Sequence, residues 1–291
     1  MLSGLVAAGI GAGFGDAAAK GSEAPSLAEL ALSADNLSPE AMTHVQRTTG
    51  KLYLTFPDQT FAWGTATVVT SQSLDMLLTA AHLFVRTGED GSELRPEAVT
   101  FVPGEEYGRA PYQRWSARDW GFPDTFTAGS PDWTQDDLAV VLLNSHGSLH
   151  IQQAVGSQGI CFNCPREALV HVFGYPGGWE EGASLYTGCR VVADFRGLGL
   201  PGQEYQPGDL FGTCREGTPE LTPGSSGSGL LTDLDPTTGL GRIMGIMTWG
   251  PGDIDRNKRA NRSFDPSTPP NNGGTYLSDT AKALYDRYQN A

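Results

Sequence analysis

Gly64-Thr65-Ala66-Thr67-Val68-Val69-Thr70, followed by Met76-Leu77-Leu78-Thr79-Ala80-Ala81-His82, is the stretch on which the fold turns. The first run is rich in β-branched residues, whose stiff side chains favour a pleated backbone over a helix. The second is a short apolar run that ends in a His. Similar runs lie on either side. Lys51-Leu52-Tyr53-Leu54-Thr55-Phe56 alternates, and Ala98-Val99-Thr100-Phe101-Val102 and Leu138-Ala139-Val140-Val141-Leu142-Leu143 follow. Further on come Leu169-Val170-His171-Val172-Phe173, Arg190-Val191-Val192-Ala193, Gly229-Leu230-Leu231-Thr232 and Ile243-Met244-Gly245-Ile246-Met247-Thr248. Gly, Pro, Asp and Asn turns separate them, which is the pattern of an all-β barrel or sandwich.

The composition agrees. The chain has 291 residues, with 38 Gly and 19 Pro, favouring many short strands joined by tight turns. Length alone suggests about two domains. Hydrophobic residues make up 39%, enough for a sizeable core. The formal net charge of −14, with no Lys/Arg-rich run, opposes nucleic acid and anionic membrane surfaces as partners. No segment reads as a membrane span.

Both ends differ from this pattern. Leu2 to Phe14 is small and apolar, and Ala17-Ala18-Ala19 resembles a cleavage site. Residues 1–20 therefore read as a signal-like segment, although no Lys or Arg precedes the apolar run. Residues 21–50 read as an extension or pro-segment, with a helix start at Ser38-Pro39-Glu40-Ala41-Met42. Ser278 to Gln289 is the strongest helix, with Ser278 as cap and Ala281, Leu284, Tyr285 and Tyr288 on one face.

Four cysteines are present: Cys161, Cys164, Cys189 and Cys214. The even count fits two disulfides in an oxidising compartment. A Cys189–Cys214 bridge would close a long loop, worth roughly 3–4 kcal/mol in the chain-entropy account. Cys161 and Cys164, a C-x-x-C, are expected to be bridged or within reach of that pair. Four-thiolate zinc is the weaker reading, because no second C-x-x-C follows.

Three segments carry chemistry together. His82 closes an apolar run. Asp137 directly precedes another, unlike its neighbour Asp136. Pro223-Gly224-Ser225-Ser226-Gly227-Ser228-Gly229 is a Gly-flanked Ser loop that leads into a third. A Ser hydroxyl is a poor nucleophile until a base takes its proton. His has the pKa for that task, and a carboxylate on its other nitrogen fixes the tautomer. The developing oxyanion needs donors, which here would be the N–H groups of Gly224 and Ser226. The order His, Asp, Ser differs from the Ser, Asp, His of α/β-hydrolases, and the loop does not fit G-x-S-x-G. Ser225 and Ser228 are rival nucleophiles. His44, His146, His150 and His171 show no partner spacing, and no H-E-x-x-H occurs. The acidic turns Glu89-Asp90 and Asp233-Leu234-Asp235 read as solvated, and no cofactor is expected.

These motifs resemble the trypsin-like, chymotrypsin-fold serine peptidases. Thr79-Ala80-Ala81-His82 is similar to that family's T-A-A-H, and Asp137-Leu138-Ala139-Val140 to its D-[IL]-A-[LV]. Gly224-Ser225-Ser226-Gly227-Ser228 resembles its G-[DN]-S-G-[GS], closest to the bacterial glutamyl-endopeptidase-like branch. Gly245-Ile246-Met247-Thr248-Trp249-Gly250 resembles the strand that binds substrate main chain, and Val172-Phe173-Gly174-Tyr175-Pro176 a strand common in secreted bacterial members. The resemblance covers roughly residues 50 to 290. It implies two antiparallel six-stranded β-barrels, at 51–150 and 165–291, joined by a linker at 151–164 and ending in a C-terminal helix. It further implies a secreted or periplasmic serine endopeptidase acting on protein or peptide substrates through His82, Asp137 and Ser226. The alternative is the same fold serving as a non-catalytic binding or structural protein.

The resemblance also bears on specificity and activation. Substrate would meet Thr248, Trp249 and Gly250. Six residues before Ser226 stands Glu220, at the family's pocket floor, where trypsin carries an Asp that pairs with Lys or Arg. Glutamyl-specific relatives use a His where this chain has Met247. Ser225 stands where trypsin has the Asp that pairs with a freshly cut N-terminus, so that mode of activation is not expected.

Overall fold

In the computed structural model, residues 37–128, 136–166, 168–178, 180–194, 209–214, 221–249 and 271–291 are described. The signal-like segment at 1–20 lies outside them.

Helix α1 (Pro39–Thr48) starts as its sequence dictates. The Ser38 hydroxyl accepts the Ala41 N–H at 3.0 Å, and Pro39 takes the first turn. The chain then enters β1 (Thr49–Thr55) without a loop. The strands β2 (Phe61–Val68), β3 (Met76–Thr79), β4 (Arg86–Thr87), β5 (Glu93–Leu94), β6 (Ala98–Pro103), β7 (Trp115–Gly121) and β8 (Ala139–Leu143) follow. Six of them close a barrel in the order β1-β2-β3-β8-β7-β6, antiparallel throughout. The two-residue strands β4 and β5 pair only with each other.

β8 is buried along its whole length. That explains why its sequence is a continuous apolar run with no alternation. Val45 of α1 lies in the same core as Leu52, Phe101, Trp115 and Leu142, so α1 is built into the barrel's packing.

After β8 come helix α2 (Ile151–Val155) and the short β9 (Gly159–Ile160). Then follow β10 (Ala168–Gly174), β11 (Tyr186–Asp194), β12 (Asp209–Cys214), β13 (Gly229–Thr232), β14 (Arg242–Trp249) and β15 (Asn271–Tyr276). These make a seven-stranded sheet in the order β13-β10-β11-β12-β15-β14-β9, and β13 also pairs with β14. All pairings are antiparallel except β9 with β14. The segment between the two sheets thus contributes a strand of its own. Its C-x-x-C is closed, with Cys161 and Cys164 forming a disulfide.

Helix α3 (Asp279–Tyr288) ends the chain and buries Ala281 and Leu284 in the core cluster shared with β8. Ser278 occupies its N-cap position but makes no side-chain capping bond. The acidic Asp279 stands in the first turn instead, where it favours the helix dipole and accepts from Asn163 Nδ2 at 2.7 Å. Among the described residues, no helix is long and apolar enough to cross a membrane.

One buried side chain joins the parts. Gln158 is fully buried. Its Nε2 donates to Gly239 O at 2.9 Å and to Thr48 Oγ1 at 3.2 Å, and its Oε1 accepts the Gly241 N–H at 2.8 Å. Its main chain bonds Val68 and Thr70, both at 2.9 Å. Gln158→Leu would strand a donor and an acceptor in the core, each worth about 1–3 kcal/mol. We expect it to lower Tm by about 5–15 °C. Calorimetry of the variant, unchanged from wild type, would refute this role for Gln158.

Candidate active site

The barrel register brings the first two site residues together. Thr79 at the end of β3 pairs with Ala139 at the start of β8. His82 follows Thr79 in a 3₁₀ turn over Ala81–Phe84, and Asp137 just precedes β8. Both therefore stand at one end of the barrel. Asp137 is fully buried. Its Oδ1 accepts the His82 backbone N–H at 2.8 Å, and its Oδ2 is 2.7 Å from His82 Nδ1. A carboxylate there accepts a hydrogen bond from Nδ1–H, which leaves Nε2 as the basic nitrogen of the neutral ring. The His82 side chain remains 29% exposed. Asp136, the rival carboxylate, is spent on the Thr125 hydroxyl.

The Ser226 loop is knitted to itself and to the barrel. Ser225 N–H and Oγ both donate to Thr222 O, at 3.0 and 2.8 Å. Ser228 N–H donates to Ser225 O at 3.0 Å, and Gly227 N–H to Met247 O at 2.8 Å. Among the described residues, the N–H groups of Gly224 and Ser226 donate to no carbonyl. The three loop serines thus differ. Ser225 is buried with its hydroxyl engaged, and the Ser228 hydroxyl is buried without a partner among the described residues. Ser226 alone is partly exposed.

Thr65 of β2, by its sequence an ordinary strand residue, joins loop to barrel. Its N–H donates to Ser226 O at 2.8 Å, and its hydroxyl donates to Gly224 O at 2.9 Å. The same hydroxyl accepts the Tyr175 N–H at 3.0 Å, and its carbonyl accepts from Thr79 Oγ1 at 2.7 Å. The loop and the His82 turn meet over Gly64. A Cβ there would lie 2.4 Å from Leu83 Cδ1 and 2.9 Å from Ser226 O. His82, Asp137 and the Ser226 loop are therefore brought to one place.

No family model matches the chain, and no curated protein does. Solved structures match it well. The protease Anisep from Arthrobacter nicotinovorans aligns with a TM-score of 0.62 at 20% identity, over 84% of this chain and 96% of that one. A thermostable serine protease from an extremophilic microorganism gives 0.61 at 21%, over 84% and 98%. A Glu endopeptidase gives 0.58 at 17%, over 87% and 95%. The chain has the fold of the chymotrypsin-type serine proteases.

Other expected positions sit in this chymotrypsin-type fold as follows. Thr248 is buried with its hydroxyl unpartnered among the described residues. Trp249 ends β14, opposite Gly273, with its side chain outside the described set. Glu220 and Gly250 lie outside the described residues. Cys189 and Cys214 stand on the paired strands β11 and β12, where the register sets Cys214 opposite Arg190; their side chains are not described.

Two loop positions require glycine. Gly224 has φ +102° and Gly227 φ +92°. A Cβ on Gly227 would lie 2.0 Å from Thr65 O and 2.2 Å from Thr79 Oγ1, inside the joint just described. Gly227→Ala combines left-handed strain with a backbone clash, and we expect a loss above about 2 kcal/mol. Chemical denaturation would measure it, and a neutral result would mean the loop is not held at Thr65.

Proposed function

We propose that the chain is a serine endopeptidase with Ser226 as nucleophile, His82 as general base and Asp137 as the group that orients His82. One observation carries this reading. A fully buried carboxylate binds two of the nitrogens of His82, the main-chain N–H and Nδ1, beside a loop whose one partly exposed serine is Ser226.

In this mechanism Ser226 Oγ attacks the scissile carbonyl carbon while His82 Nε2 takes its proton. The C–N bond breaks as His82 returns that proton to the departing amine. Water, activated by the same nitrogen, then hydrolyses the acyl-enzyme. The N–H groups of Gly224 and Ser226 hold the negative charge on the carbonyl oxygen.

The family's two-barrel form belongs to the same proposal. The added β13–β14 pairing supports closure of the second sheet into a barrel. The domains are then 51–150 and 165–291 with a linker at 151–164. A folded, core-packed α1 supports limiting any removable segment to residues before Ser38. The Cys161–Cys164 bridge supports a secreted or periplasmic location, and a second bridge, Cys189–Cys214, is proposed on the paired strands. The spent Ser225 hydroxyl supports activation without a freshly cut N-terminus.

The non-catalytic alternative makes the opposite forecast in one experiment. A fluorophosphonate probe should label wild type and Ser225→Ala but leave Ser226→Ala unlabelled. Peptide hydrolysis should fall on the order of 10⁴–10⁶-fold in Ser226→Ala and in His82→Ala, with no further loss in the double variant. Labelling that survives Ser226→Ala would end the assignment.

Specificity is proposed to rest on Glu220, whose carboxylate would pair with a substrate Lys or Arg. Met247 is buried where glutamyl-specific relatives place a His, which counts against acidic substrates. A peptide library should show cleavage after Lys or Arg that falls selectively in Glu220→Gln. Cleavage after apolar residues, unchanged by that substitution, would remove Glu220 from the pocket.

A further inference from the structure

Lys51 on β1 is buried, an uncommon place for an ammonium unless it is paired. Its Nζ donates to the Gly182 carbonyl at 2.9 Å and lies 3.9 Å from Glu105 Oε1. It also faces the Trp63 ring at 5.0 Å and the Tyr53 ring at 5.4 Å from their centroids. Glu105 is buried too, and both its oxygens accept from the Tyr53 hydroxyl, at 2.5 and 2.7 Å. Burial pulls the Lys51 pKa below the ordinary lysine range, and the Glu105 charge opposes that shift.

What Lys51 holds is strained. Glu180, Glu181 and Gly182 have consecutive positive φ values of 44°, 55° and 72°. Left-handed backbone is costly for residues with a Cβ and persists only where its surroundings over-determine it. The holding groups come from the first barrel. Besides Lys51, the Tyr107 N–H donates to Ala183 O at 2.6 Å, and the Tyr107 hydroxyl donates to Glu180 Oε2 at 2.7 Å.

This turn lies against the Ser226 loop. A Cβ on Gly182 would be 3.3 Å from Trp63 Nε1, and one on Gly224 would be 2.8 Å from the same atom. Just upstream, Gly177 N–H donates to Pro223 O at 2.8 Å and Gly178 N–H to Thr222 Oγ1 at 2.7 Å. Fixing the turn therefore fixes the main chain that carries the Gly224 and Ser226 N–H groups.

We propose that Lys51 is a positioning residue for the oxyanion donors: it locks the strained Glu180–Gly182 turn to the first barrel and thereby sets the Thr222–Ser226 main chain. The functional half of this inference rests on Ser226 being the nucleophile. Lys51 would touch no substrate, so it acts on donors that matter most in the transition state.

The test uses the full chain with Lys51→Met, which keeps the stem and removes the donor, and Tyr107→Phe, which cuts the turn's tether from the exposed side. Removing an oxyanion donor outright costs 10²–10³ in kcat, so displacing the donors should cost about 10–100-fold. In Lys51→Met, KM should stay within about two-fold, and binding of a peptide aldehyde should weaken in step with kcat. Hydrogen exchange at the Gly224–Ser226 amides should quicken in both variants, and Tyr107→Phe should lose roughly three-fold in kcat. An unchanged kcat in folded Lys51→Met, or a raised KM alone, overturns the proposal. If Lys51→Met does not fold, Tyr107→Phe decides: unchanged kcat and unchanged exchange overturn it. If wild type neither cleaves peptides nor takes a fluorophosphonate, the peptidase reading fails by itself. Exchange then decides alone, and equal protection in wild type and variants overturns the positioning role.

Discussion

The site depends on Thr65. It is one buried residue in the middle of a barrel strand, and it bonds four groups on three separate stretches of chain: the Ser226 and Gly224 carbonyls, the Tyr175 amide and the Thr79 hydroxyl. The hydroxyl both donates and accepts. Valine would match its shape and β-propensity, yet would leave a carbonyl and an amide unmet in the core. The requirement for Gly227 follows from this joint, because the space a side chain would need is filled by Thr65 O and Thr79 Oγ1. The spacing between the Ser226 loop and the barrel at the candidate site is therefore set by bonds of a single short threonine to main-chain groups of the loop.

The first barrel was largely legible in the sequence. Its strands carry unbroken β-branched and apolar runs, and β8 has no polar residue to blur its edges. The exception is β7. Arg118 and Asp119 interrupt its apolar positions, and most of its residues are at least partly exposed, so the run carries no core signature. The second sheet was harder. β12 and β15 read Asp-Leu-Phe-Gly-Thr-Cys and Asn-Asn-Gly-Gly-Thr-Tyr, rich in residues that disfavour strands when taken alone. They are strands because each has paired neighbours on both sides. A Cβ on Gly274 of β15 would lie 2.4 Å from Ile246 O, so that weak strand former is there for close approach.

The candidate site was legible for a different reason. His82 closely follows β3, Asp137 closely precedes β8 and Ser226 closely precedes β13, so their positions follow once the strands are found. Asp137 is buried against His82 whereas Asp136 meets the exposed Thr125 hydroxyl, and position hints at that difference, since Asp137 lies the nearer of the two to the buried strand β8. Thr65, Lys51 and Gln158 were not legible. Each looks ordinary in its local run, and its work lies in partners far away along the chain. Periodicity reports on burial and local geometry; it carries no record of which distant carbonyl a side chain will meet.

The long reach of α1 has a bearing on how the molecule is made. The Ser38 main chain and hydroxyl bond Pro236 and Thr237, partners 199 positions apart in the case of the hydroxyl. Helix α1 thus finds its dock only after the 199 positions that separate Ser38 from Thr237 have been synthesised. Contacts so distant in sequence carry a large loop-closure cost and belong to slow folding with a high barrier. Where refolding is slow, resistance to proteolysis follows how seldom the chain leaves its native well more than how deep that well is.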